Sequence, residues 1–108
     1  MESVDVWNLE QAMSFSEDEI AKIWYKATFV SQENEKSGFR KDKYDAWIEK
    51  KQNGNRKNDF GWEADHIRPD GTDDLSNIQP LQWQNNVAKS DGKLVRVVKS
   101  EGSKNIDA

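Results

Sequence analysis

Cysteine is absent from the 108 residues, and histidine occurs once, as His66. Without cysteine there is no disulfide, no thiolate nucleophile, no Cys-ligated zinc and no iron–sulfur cluster. A lone histidine also excludes a multi-histidine metal site. No apolar run approaches the roughly 20 residues of a membrane span. The opening residues Met1 to Asp5 form neither a basic nor an apolar export region. A soluble protein with a cytoplasmic location and no membrane partner is therefore expected. Core formers are few as well, because Leu, Ile, Val and Phe supply only 21 positions. That share lies just under the roughly 20% at which disorder becomes a live option. Disorder also needs high net charge, and 16 basic against 20 acidic residues leave only −4. Five tryptophans add large buried area. The composition predicts one small folded domain with a thin core and polar ends.

Charge alternates along the chain. Residues 1–35 are net −6, residues 40–57 net +4, residues 58–87 net −5 and residues 88–108 net +2. One reading is a solvated surface of mixed sign. The other is an acidic centre that attracts cations, flanked by arms that attract phosphate. Composition does not choose between them.

Ser16 followed by Glu19 is a capping box. With Ile20, Ile23, Trp24 and Ala27 at helical spacing, it predicts a helix over about 17–31. Residues 32–38 are polar and read as a loop. Residues 40–51 are ambiguous between a helix with Tyr44, Trp47 and Ile48 on one face and a short strand at Ala46–Glu49, and Asn53-Gly54-Asn55 then turns the chain. Extended segments are expected from Phe60 to Ile67 and from Asn77 to Leu81, separated by a turn-rich loop at 69–74. A short helix over 83–91 and a strand from Leu94 to Val98 follow. Domain boundaries come out as a polar N-terminal segment at 1–15, one domain at 16–99 and a frayed tail at 100–108.

The residues between 62 and 89 carry chemistry. Asp65-His66 on the first extended segment would meet Asn77 on the second and Asn86 on the helix. A carboxylate and an amide carbonyl are hard oxygen ligands suited to Mg²⁺ or Mn²⁺. An imidazole beside such a cation, kept off the metal, is placed to act as general base. Lys89, one turn beyond Asn86, could meet a phosphate. Neighbours on a strand face opposite ways, so Asp65 and His66 can share a site only at the ragged end of a ribbon.

Three runs carry a resemblance: Asp65-His66-Ile67-x-Pro69, then Gly71-x-Asp73-Asp74-Leu75-x-Asn77-Ile78-Gln79-Pro80-Leu81, then Asn86-x-x-Lys89-Ser90-Asp91. In these runs, about a third of the chain, the sequence resembles the HNH endonuclease family with its ββα-metal motif. A weaker echo extends upstream through Arg40-x-Asp42, Ala46-Trp47-Ile48 and Gly61-Trp62-Glu63. The resemblance implies an α+β fold, with an N-terminal helix packed on a ββα-metal core of two-stranded ribbon plus helix over about 60–92. It implies a metal-dependent endonuclease acting on nucleic acid, most readily DNA. Asp65 and Asn86 would hold one divalent cation, Mg²⁺ or Mn²⁺. His66 would deprotonate the attacking water, and Asn77 would fix the loop that aims the imidazole. Lys89, Arg68, Arg56 and Arg40 are the candidate phosphate contacts.

The sequence departs from the family where many members carry two Cys pairs for a structural zinc. Gln82 and Asn85 stand where the second pair would fall, so no structural zinc is expected, and Trp47, Trp62 and Trp83 become the candidates to hold the fold. Asn85 could compete for the ligand role, although its spacing to Lys89-Ser90 favours Asn86. The loop from His66 to Asn77 is shorter than in many members. The small stand-alone size resembles phage and mobile-element members. An alternative is a module that keeps the fold and binds nucleic acid or protein without cutting, motivated by the −4 charge. A third reading is an inhibitor or accessory protein that uses the acidic N-terminal segment to meet a basic partner.

Overall fold

The capping box at Ser16 is formed. In the computed structural model, which describes residues 15–92 and 96–108, Ser16 Oγ accepts from Glu19 N at 3.1 Å. In return, Glu19 Oε1 accepts from Ser16 N at 2.9 Å. The helix they start, α1, spans Glu17–Trp24 and buries Ile23 and Trp24. It is shorter than the expected 17–31. Just beyond it, Thr28 pairs with Lys41 through N–H···O contacts of 2.8 and 3.1 Å, and this bridge wins over further helix. Replacing Ser16 with alanine removes the cap and is expected to cost about 1 kcal/mol. The check is a lower urea midpoint with an unchanged slope.

Residues expected as loop contain a second short helix, α2 (Gln32–Lys36), because Ser31 Oγ accepts from Asn34 N at 3.1 Å. The ambiguous stretch at 40–51 contains no α-helix, and its second half holds a short strand. β1 (Phe39–Lys41) and β2 (Trp47–Glu49) pair antiparallel, and a 3₁₀ turn covers Lys50–Gln52. Asp42 folds the connection, its Oδ1 accepting from Tyr44 N and Ala46 N, both at 2.9 Å. Asp45 takes the left-handed conformation at φ 70°, which aspartate tolerates better than most residues.

β3 (Trp62–His66) and β4 (Ile78–Gln82) form the second antiparallel ribbon, with Asp65 opposite Gln79 and His66 opposite Ile78. Helix α3 (Trp83–Ser90) follows β4 directly. The chain is thus an α+β domain whose sheets are small antiparallel pairs. Along β3 the side chains alternate. Trp62 and Ala64 join Ile23, Trp24, Ala27, Ile48 and Ile78 in the apolar core, with the Trp24 and Trp62 rings 5.5 Å apart and tilted by 45°. Glu63 and Asp65 turn the other way, toward α3. Gly61 precedes the strand because a Cβ there would lie 1.8 Å from the carbonyl oxygen of Asn55. Of the three tryptophans expected to hold the fold, Trp47 and Trp62 are buried. Trp83 is half-buried and donates from Nε1 to the Asn58 carbonyl at 3.1 Å.

A buried polar hub ties these parts together. Asp42 Oδ2 accepts from Gln82 N at 2.9 Å and from Asn85 Nδ2 at 3.2 Å. Gln82 Oε1 accepts from Gln84 N and Asn85 N, which caps α3. Asn85 Oδ1 accepts from Val97 N and Val98 N, fixing the start of the last hairpin.

That hairpin corrects an expectation. Residues 100–108 do not fray. β5 (Val98–Glu101) pairs with β6 (Lys104–Asp107). Asn105 fastens the hairpin to β2, accepting from Trp47 N at 2.7 Å and donating to Trp47 O at 2.9 Å. The strand expected at Leu94 to Val98 falls partly outside the described residues, as does nearly all of the polar segment at 1–15. No helix among the described residues is long and apolar enough to cross a membrane.

Candidate functional site

Two spacings build the site. Glu63 and Asp65 are two apart on one face of β3, and Asn86 and Lys89 are three apart on one face of α3. Packing the helix on the ribbon therefore makes two rungs. Asn86 Nδ2 donates to Glu63 Oε1 at 2.9 Å. Lys89 Nζ donates to Asp65 Oδ1 at 3.0 Å and Oδ2 at 2.9 Å. Glu63 is buried and is clamped from behind by Arg56, whose Nε and Nη2 donate at 2.6 and 2.9 Å. Across the ribbon, Gln79 Nε2 donates to Asp65 Oδ2 at 2.8 Å.

These rungs border a cleft of about 310 Å³ lined by Ala64, Asp65, His66, Pro69, Asn86, Lys89 and Ser90. Asp65 and His66 both reach it because His66 stands in the last pair of the ribbon. Beyond that pair the chain turns away at Pro69, and the alternation of faces no longer separates them. The His66 Nε2 meets Asp73 Oδ1 at 2.6 Å. This leaves the other ring nitrogen without a protein partner among the described residues.

Asn77 holds the loop between the strands. Its Oδ1 accepts from Arg68 N at 3.0 Å, and its Nδ2 donates to Thr72 O at 3.0 Å and Arg68 O at 3.3 Å. Its own carbonyl accepts from Ile67 N at 2.7 Å. Gly71 lies so close that a Cβ there would sit 2.4 Å from Asn77 Nδ2. Gly71→Ala is accordingly expected to displace the clamp at a cost of about 1–3 kcal/mol. The drop is readable as a lower melting temperature, together with a broadened His66 ring resonance.

The remaining basic candidates divide. Arg40 is spent on Glu35, through Nε at 2.8 Å and Nη2 at 2.9 Å, and on the carbonyls of Tyr25 and Ala27. Its hydrogen bond holds the Glu35 carboxyl below the ordinary 4.5. Arg56 serves Glu63. Lys89, expected on phosphate, sits on Asp65. Arg68 alone of the four is exposed, and its guanidinium has no protein partner among the described residues.

Sequence reasoning missed Glu63 and Gln79. The i, i+2 step from Glu63 to Asp65 was the available signal for the first. Asn85, the rival to Asn86, is committed to the hub and faces away from the cleft lining.

Asp65 and Asn86 are the oxygen donors in the cleft lining that could hold a hard divalent cation. Asn86 is 3% exposed. Glu63 takes its amide nitrogen, and no protein donor among the described residues reaches its Oδ1. A buried carbonyl oxygen left open is uncommon, and Asn86 lines the cleft together with Asp65. Among the described residues no three His, Cys, Asp or Glu side chains cluster closely enough to hold a metal. Asp65 and Asn86 would be the side chains that hold it, with water and phosphate oxygens completing the shell, as such cations tolerate. Comparison of the chain with protein-family models, curated proteins and solved structures finds no match.

Proposed function

We propose that this cleft hydrolyses phosphodiester bonds of nucleic acid, most readily DNA, with one Mg²⁺ or Mn²⁺ held by Asp65 and Asn86. The observation that carries the reading is a single cleft lined by Asp65, the chain's one imidazole and the buried Asn86, whose Oδ1 has no protein donor among the described residues. The order ribbon, helix, and the residues placed on it, also agree with the resemblance to the ββα-metal core of HNH endonucleases.

When bound, the cation would act as Lewis acid and template for the phosphate. The protein's own groups do the rest. His66 accepts a proton from water through the ring nitrogen that Asp73 leaves free. A neutral ring donating Nε2–H to Asp73 is oriented by that carboxylate and made a better acceptor. The oxygen of that water attacks phosphorus, and the bond to the 3′-oxygen breaks as that oxygen takes up a proton from solvent. The products are a 5′-phosphate and a 3′-hydroxyl. Asn77 keeps the His66 loop from relaxing, and Arg68 is the cation best exposed to meet the flanking phosphate.

Supercoiled plasmid incubated with the protein and Mg²⁺ or Mn²⁺ is expected to relax to nicked circles that DNA ligase reseals. EDTA is expected to stop the reaction. If neither metal supports cutting of duplex or single-stranded DNA, the chain is a binding module that keeps the fold without the activity.

A further inference from the structure

The Lys89 ammonium lies among four oxygens. Asp65 supplies Oδ1 at 3.0 Å and Oδ2 at 2.9 Å, and the backbone carbonyls of His66 and Ile67 stand at 2.5 and 3.4 Å. The side chains of Lys89 and Asp65 are 14% and 8% exposed. Each charge is therefore largely out of water and depends on the other. The arrangement is a small cation cage already filled by the protein's own side chain. Asn86 lines the same cleft, and its buried Oδ1 has no protein donor among the described residues.

We propose that Lys89 is a resident counter-ion that competes with the divalent cation for Asp65 and so sets the affinity of the site for metal. The inference rests on Asp65 and Asn86 being the ligands of that cation. An ammonium and a divalent ion cannot share the same carboxylate oxygens, because like charges at contact distance repel strongly in a partly desolvated site. Metal entry must then turn the Lys89 side chain outward. Its stem starts on the face of α3 that borders the cleft, so the expelled charge moves to where an anionic substrate would meet it. Until metal arrives, the ammonium keeps the buried carboxylate neutralised and the ribbon end closed on the helix.

The test is calorimetric titration of Mn²⁺ into the full chain at constant pH. Lys89→Met keeps the length of the stem and removes the charge. It is expected to bind Mn²⁺ about tenfold more tightly than the wild type, a difference of about 1.4 kcal/mol. If the wild type binds Mn²⁺ and Lys89→Met binds equally or more weakly, the counter-ion role is overturned while the metal site stands. If neither binds at millimolar metal, both readings fall together. Should the variant fail to fold, the wild type carries its own readout in the ¹⁵Nζ resonances of its lysines. The caged Lys89 ammonium is expected to give a sharp, slowly exchanging signal that collapses as Mg²⁺ is added. A signal that persists while the Asn86 side-chain amide shifts overturns the proposal.

Discussion

Replacing His66 with alanine is expected to lower DNA nicking by about 10²–10⁴-fold, the usual share of general-base catalysis. In activation free energy this is about 3–5 kcal/mol. Stability is expected to change by no more than about 1 kcal/mol. The contrast follows from where the ring sits. Its side chain is 32% exposed and its polar contact is with Asp73, itself 74% exposed. An ion pair or hydrogen bond in that much solvent contributes little to folding. Asp65 and Asn86 keep their own contacts to Gln79, Lys89 and Glu63 in the variant. Mn²⁺ binding should therefore survive while cleavage is lost. Measuring nicking rate, melting temperature and Mn²⁺ affinity on the same preparation separates the three. An unchanged rate removes His66 from the proposed chemistry, and a loss of metal binding would make it a ligand.

How far the sequence exposed this arrangement depends on the range of the interactions involved. Local signals read well. The Ser16 box, the extended run into His66 and the helix after Gln82 all occur within a residue or two of their expected places, since each is decided by neighbours in the chain. Failures came where distant partners decide. Nothing in residues 25–31 announces that Thr28 will pair with Lys41 and end the first helix. The polar composition after Ser100 reads as a tail because the feature that orders it, Asn105 on the Trp47 backbone, joins residues 58 apart.

The site divides along the same line. Asp65, His66, Asn77 and Asn86 were singled out in the sequence through the resemblance that their runs carry. The structure brings Asp65, His66 and Asn86 to one cleft and puts Asn77 just before β4, holding the loop that follows His66. Two of the arginines stand differently in the structure for a physical reason. A basic residue in a mostly basic stretch reads as free charge, but Arg40 and Arg56 each find a carboxylate in fork geometry. Lys89 illustrates the same point: one turn from Asn86 it could face phosphate or Asp65, and only the register of helix on ribbon decides. Glu63 stayed hidden because a buried glutamate is improbable until its Arg56 clamp is known.

Asp42→Ala is expected to be the most damaging substitution for stability, at about 3–5 kcal/mol. Asp42 is 2% exposed and its two oxygens accept from Tyr44 N, Ala46 N, Gln82 N and Asn85 Nδ2. Truncation would strand several buried donors at about 1–3 kcal/mol each before relaxation. It would also release the β1–β2 turn, the start of α3 and the anchor of the last hairpin together. For a domain of this size the melting temperature should fall by roughly 15–30 °C. The pH dependence tests the cause. Burial raises the Asp42 carboxyl above the ordinary 3.8, outweighing the four hydrogen bonds that lower it. The native state then holds this proton more tightly than the unfolded chain, so wild-type stability gains as pH falls through the raised value toward 3.8. The gap between wild type and Asp42→Ala should be constant at neutral pH and widen on acidification across that window. Urea midpoints taken from pH 7 down to pH 4 read it directly. A gap that narrows instead would mean that the four donors outweigh burial, with Asp42 held in the fold as a stabilised anion.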